Sequence, residues 1–300
     1  MEVKTSIKKD FLDLFYHDLD NIELDRGNTL NLFTLKIKNN KFAYDELVET
    51  LGESLIHFAL SRDTVKNLEN EKKHRKLVQL SIDKLRKYTV NDGELGELLL
   101  YCLLESHLNA PKILTKLEIK TAKNNYVHGA DGVHLLKVSN EDFQLVFGES
   151  KLDSSLRQGI YDSFSSISSM LDNDSEKLKF EIELVNSQLV KECVDDNLYQ
   201  FIKQLIMPTK KSSSTNIDSS FGIFLGFNIS ISEKDKELNN REFRKFIRTK
   251  IIKEVNDNIA SINHQINKKD FTGYDFYLYL IPFSDLAIKR QDIIKDLINE

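Results

Sequence analysis

The apolar positions along the chain change period several times, and each change marks an element. Between residues 20 and 38, NIEL and LNLFTLKI alternate apolar with polar on either side of Asp25-Arg26-Gly27-Asn28, which is turn chemistry, so the two runs are expected to form a hairpin. Helical spacing follows: Leu47, Leu51, Leu55 and Phe58 predict a helix over 44–60, and a second stretch predicts one over 64–88. Asn91-Asp92-Gly93 opens a new unit, because Asp92 can cap the leucine-rich helix GELGELLLYCLLESHL by accepting its free N–H groups. Period two returns in PKILTKLEIKT, GADGVHLLKV and DFQLVFGESK, three expected strands, followed by a helix over 153–171. Helical periodicity resumes over 176–207. A polar loop, PTKKSSSTNIDSS, precedes the strand FGIFLGFNISI, and a charged helix over 240–263 leads to a last strand, DFYLYLIPF. The expected class is α/β (α+β). An N-terminal αβ region, a hairpin plus two helices, occupies 1–90, and a second unit occupies 91–300.

Composition narrows the function. With 300 residues, 40% of them hydrophobic, the chain can bury a sizeable core. No apolar run approaches the roughly 20 residues needed to cross a bilayer. The first residues mix acids and bases and do not resemble a secretory signal, so a cytoplasmic location is expected. Cys102 and Cys193 lie far apart without spaced histidines and read as reduced thiols. The net charge of -5 excludes a protein that coats nucleic acid by charge alone. Contact with nucleic acid must be local or shared with a partner.

Chemistry concentrates in GADGVHLLKVSNEDFQLVFGESK, where two apolar strands meet near 139–142 and carry Asp131 and Glu149 at their matching far ends. An odd loop sets Asp131 opposite Glu149, and an even one sets it opposite Ser150 unless a bulge intervenes. Period two aligns Phe143, Leu145, Phe147, Glu149 and Lys151 on one face. Two acids beside apolar surface repel unless a cation joins them, and Mg²⁺ or Mn²⁺, which favours oxygen donors, fits Asp131, Glu149 and the Ser150 carbonyl. Lys151 can then orient water or stabilise charge at a phosphoryl group. On the preceding helix Glu94, Glu97, Tyr101 and Glu105 form a polar stripe. Glu97 is preferred as a third acid, since Gly96 beside it permits close approach, with Glu94 as its substitute; a solvent-facing glutamate is the alternative.

The triplet E-x-K is not diagnostic alone. It recurs at Glu2-Val3-Lys4, Glu71-Lys72-Lys73 and Glu118-Ile119-Lys120, and only Glu149 follows an apolar strand with Asp-Gly across a hairpin. Arg157 and Gln158 stand one turn beyond the site and could reach phosphate or water. His128 and His134 flank Asp131; His134, three positions away, points to the other strand face and suits a structural hydrogen bond as well as a supporting role. The EKKHRK run at 71–76 reads as a solvated helix face, and Lys210 and Lys211 as loop lysines that could equally meet DNA.

At GELGE, Asp131 and Glu149-Ser150-Lys151 the chain resembles the PD-(D/E)xK nuclease superfamily, with Ala130 replacing the proline before the aspartate. That resemblance implies a core of helix, three-stranded meander, helix and strand, with an N-terminal αβ extension. More narrowly, GELGELLLYCLLE, HGADGVHL and FGESKL look like the DUF1837 family, which includes the HamA effector nucleases of the Hachiman anti-phage system. The resemblance implies an Mg²⁺-dependent DNase of little sequence specificity, paired with a helicase, HamB. A catalytically inactive subunit that restrains a helicase, or an RNase using the same site, remains an alternative.

Overall fold

In the computed structural model, residues 4–88, 93–119, 129–171 and 216–298 are described, with a few helical positions between 182 and 203. The expected hairpin forms: β1 (Phe15–Glu23) pairs antiparallel with β2 (Thr29–Leu35) around Asp25-Arg26-Gly27. A small second hairpin, β3 (Ile37–Lys38) and β4 (Lys41–Phe42), turns on Asn39 and Asn40, both at positive φ as a tight primed turn requires. Helix α1 (Tyr44–Ala59) buries the predicted stripe of Leu47, Leu51, Leu55 and Phe58.

The single helix expected over 64–88 is two, α2 (Arg62–Asn70) and α3 (His74–Tyr88). Ser61 caps α2 through its side chain, which accepts the Thr64 N–H. The helix then ends in a Schellman pattern, with Lys73 N–H donating to Leu68 O at 2.9 Å and Lys72 N–H to Glu69 O at 2.9 Å. Lys72 occupies the left-handed position (φ 55°) where glycine is usual, so the sequence carries no ordinary stop signal. The EKKHRK run therefore spans a helix break.

Helix α4 (Glu94–Ser106) is central, and every one of its residues is buried. It lies between α1 on one side and strands β7 and β8 on the other. The first of the three expected strands is short: β5 (Lys112–Thr115) gives way to one helical turn, α5 (Lys116–Ile119), although the alternating pattern continues. The chain is drawn aside there by Thr115 Oγ1, which donates to Phe58 O of α1 at 2.8 Å. Strands β6 (Gly132–Lys137) and β7 (Asp142–Asp153), then α6 (Leu156–Leu171), follow as expected. Strand β8 (Asn216–Asn228) begins inside the segment read as polar loop, because its first residues pair with the start of β7. A turn of helix, α7 (Glu233–Lys236), the long α8 (Asn240–Ile266), β9 (Asp275–Phe283) and α9 (Leu286–Ile298) complete the chain. The sequence reading contained no counterpart to α9.

Among the described residues seven strands form one sheet in the order β1-β2-β9-β8-β7-β6-β5. The central pairs β2–β9, β9–β8 and β8–β7 are parallel, and the flanking pairs are antiparallel. Strands buried on both faces read as continuous apolar runs, which is why FGIFLGF and FYLYLIPF lack clean alternation. Gly222 of β8 faces Leu104 of α4, whereas Leu225, three residues on, meets Gly159 of α6. Helices α4 and α6 thus cover opposite faces. Among the described residues no helix is long and apolar enough to cross a membrane. Cys102 is a buried free thiol, and burial pushes its pKa up. Cys193, Asp92, His128, Lys210 and Lys211, with most of 176–207, lie outside the described residues.

Candidate active site

The β6–β7 ladder runs from Val133↔Phe147 to Lys137↔Phe143, leaving residues 138–142 as an odd loop. Continued unchanged, this register sets Asp131 opposite Glu149. It slips at the end: the Asp131 N–H donates to Gly148 O at 2.8 Å, one residue out of step. The Asp131 carboxylate consequently accepts from Ser150, with Oδ2 2.8 Å from both its N–H nitrogen and its Oγ. In an extended strand a residue's carbonyl points to the same side as its N–H, so the Ser150 carbonyl turns toward Asp131 as well.

Glu149 and Lys151 project from β7 toward α6, whose Ser166 hydroxyl reaches the Glu149 carboxylate. Lys151 Nζ lies 2.5 Å from Glu149 Oε1. Glu149 is only 6% exposed. Burial pushes its pKa up, the Asp131 charge pushes it further, and Lys151 and Ser166 pull the other way; the outcome is about 7. Near neutral pH this carboxyl is balanced between its two states.

Glu97 joins the cluster through its neighbour. A Cβ on Gly96 would lie 3.2 Å from Ser150 Oγ and 3.3 Å from Ser150 Cβ, so the first turn of α4 rests closely on β7, and a side chain there would have to push Ser150 aside by a few tenths of an ångström. Glu97 and Glu94 are both buried, the opposite of a solvent-facing stripe. Between the acids stands a residue that periodicity did not single out, Lys116 of α5. Its Nζ is 3.2 Å from Asp131 Oδ1 and 4.0 Å from Glu97 Oε1, and its N–H donates to Asp131 O at 3.0 Å. Burial opposes its charge, yet Asp131, Glu97 and Glu149 together outweigh that and raise its pKa. The signal was present in the sequence as a lysine interrupting KILTKLEI, but it was absorbed into an expected strand.

The other candidates are placed differently. Gln158 is exposed and donates to Asp162 of its own helix at 2.9 Å, and Arg157 is exposed beside it. His134 is 1% exposed, with Nδ1 2.7 Å from Ala110 O and its ring against Tyr101. Burial lowers its pKa to about 4, so it is neutral in most conditions.

These elements define a mixed α/β protein whose seven-stranded sheet carries a partly buried cluster of acids and lysines at the C-terminal end of β7. The HamA family model matches residues 9–297, nearly the whole chain, and the protein belongs to the HamA family. That membership suggests a role in Hachiman defence and a partner within that system. No curated protein matches the sequence significantly.

Proposed function

We propose that this HamA-family protein is a divalent-metal-dependent DNase with a PD-(D/E)xK core, acting with a helicase as the effector of anti-phage defence. The observation that carries this reading is the grouping at the end of one strand pair, where Lys116 lies between Glu97 and Asp131, and the Asp131 charge acts on Glu149, which holds Lys151. Residues 91–300 then supply the nuclease core, and 1–90 form an extension that lends β1 and β2 to its sheet.

The donor set fits Mg²⁺ or Mn²⁺. Two buried carboxyls, Glu97 and Glu149, lie to either side of the partly exposed Asp131, the Glu149 proton is held to about pH 7, and Lys116 already serves Asp131 and Glu97 as an internal cation. Asp131, Glu149 and the Ser150 carbonyl would hold the ion, with Glu97 close by, and a bound ion supplies Lewis-acid polarisation of a phosphate oxygen and of water. Lys151 keeps an ammonium at the rim of the cluster, positioned to direct water or to neutralise charge gathering on a phosphoryl oxygen. Glu149 must be ionised to accept such an ion, so binding favours pH above about 7. For DNA contact, a groove lined by Arg241, Arg244 and Lys245, with Arg248 paired to Asp18 beside them, provides the local positive charge that an acidic chain needs.

The test is plasmid cleavage with Mg²⁺, with and without the helicase, for wild type, Glu149→Ala and Lys151→Ala. Wild type cuts DNA, and each variant loses about a thousandfold or more in rate. If all three leave DNA equally intact in both conditions, the nuclease reading fails and a restraining subunit is favoured. RNA offered in the same assay decides between DNase and RNase.

A further inference from the structure

Strand β1 carries an irregularity that the proposed nuclease site does not use. In a regular strand His17 and Asp20, three positions apart, would point to opposite faces. Here the β1–β2 register shifts twice, between His17 and Leu19 and again between Leu19 and Ile22, and Asn21 takes a positive φ of 46°. These departures bring Asp20 Oδ1 to 3.6 Å from His17 Nε2. Bulges re-aim side chains at a cost in pairing, so a strand with two of them calls for a reason.

A third ligand type arrives from elsewhere in the chain. His107, directly after α4, stands edge-on to His17 with ring centroids 5.3 Å apart, and one ligand atom from each of His17, Asp20 and His107 lies within 4.8 Å of the others. The surroundings hold both rings. His17 stacks on Phe33 at 4.2 Å and 16°, His107 meets the same ring edge-on, and His107 Nδ1 lies 3.2 Å from the hydroxyl of the buried Tyr279. Engaging Nδ1 leaves Nε2 as the nitrogen for a ligand, the outer-sphere arrangement that orients metal-bound histidines. Asn31, buried beneath, sets Oδ1 2.9 Å from His17 Nε2 and anchors the Asn21 N–H with the same oxygen.

We propose that His17, Asp20 and His107 form a second metal site, selective for zinc-class transition ions and separate from the acid–lysine cluster. Two imidazoles and one carboxylate suit Zn²⁺ and Co²⁺ and disfavour Mg²⁺, which prefers oxygen and retains water. Three protein ligands leave a fourth position for water or for the Asn31 amide oxygen. In the bound state His17 is the Nδ1–H tautomer, its proton having moved from Nε2 through solvent, and the ring stays neutral. The ion would staple the outermost strand to the end of the central helix.

The experiment is titration of the purified full-length protein with Co²⁺, followed by visible d–d absorption, and competition by Zn²⁺. Wild type gives the intense absorption of one equivalent in a low-coordinate environment, and Zn²⁺ removes that absorption. Asp20→Asn, at an exposed side chain that cannot unfold the protein, weakens binding about tenfold or more, and His17→Gln with His107→Gln abolishes it. Tyr279→Phe, which removes only the outer hydrogen bond, weakens it about tenfold. The Asp131→Asn, Glu149→Gln double variant retains the Co²⁺ spectrum, which separates this site from the proposed nuclease centre. Loss of the spectrum in that double variant, or an unchanged spectrum in Asp20→Asn and the double histidine variant, overturns the proposal.

Discussion

The two ends of α4 treat buried glutamates in opposite ways. At its C-terminal end Glu105, fully buried, accepts the Ser6 N–H, the Ile7 N–H at 2.9 Å and the Lys112 N–H at 2.8 Å, with Arg62 Nη2 at 3.5 Å. Those donors are mostly backbone, fixed by the fold, and they tie the N-terminal segment and β5 to the helix. At the other end Glu97 shares Lys116 with Asp131, whose charge acts on Glu149, and the cations are the ends of flexible lysines. The first arrangement stores stability. The second leaves a carboxyl near its titration point and charges that can exchange partners, which is what binding and catalysis require.

The largest effect that tests this contrast is on stability at the Glu105 end. Glu105→Ala strands three N–H groups and removes the carboxylate partner of Arg62, and urea denaturation should show a loss of about 3–5 kcal/mol. A loss below about 1 kcal/mol would mean that water replaces the carboxylate and that the two ends are not different in kind.

The opposite end should answer to pH. Glu149 has its folded pKa raised to about 7 from an ordinary 4.5, so the native state holds the proton more tightly than the unfolded chain. The metal-free protein keeps that contribution below about pH 4.5 and loses it as pH rises through 7, by at most about 3 kcal/mol. Glu149→Gln flattens this slope and makes the protein more stable than wild type at pH 8. Denaturation at pH 5 and pH 8 measures it, and equal slopes in both proteins contradict the electrostatic account.

A smaller change is expected from Lys116→Met. Removing the internal cation leaves Asp131 and Glu97 to a bound ion, and calorimetry should find Mg²⁺ held several-fold more tightly, about 1 kcal/mol. Weaker binding would show that Lys116 organises the acids instead of competing for them. The smallest effect belongs to Gln158→Ala, which removes an exposed bond within one helix and should alter stability by less than about 0.5 kcal/mol.

Much of this contrast was legible before any coordinates. The hairpin, α1, α4, the β6–β7 pair, α8 and β9 follow from apolar period and turn chemistry, and Gly96 announced a close approach that Ser150 makes. What escaped reading was set by contacts remote in sequence. Lys72 adopts a glycine's conformation and splits a helix, β5 stops where Thr115 bonds α1, and β8 begins early because β7 pairs with its first residues. Lys116 escaped for the same reason, since its role exists only once α5 has turned it toward Asp131. The slip that sends Asp131 to Ser150 likewise belongs to the end of a ladder and leaves no trace in alternation.

Strand β2 joins the sheet through β9, with Thr29 to Leu32 beside Tyr277 to Leu280. A ribosome therefore releases the first strands long before their neighbour exists, and β8, which supports β7, also waits for β9 on its other side. The sheet beneath the acid cluster is completed only once β9 has been made, so a chain that stops short of it lacks the platform for whatever chemistry that cluster performs.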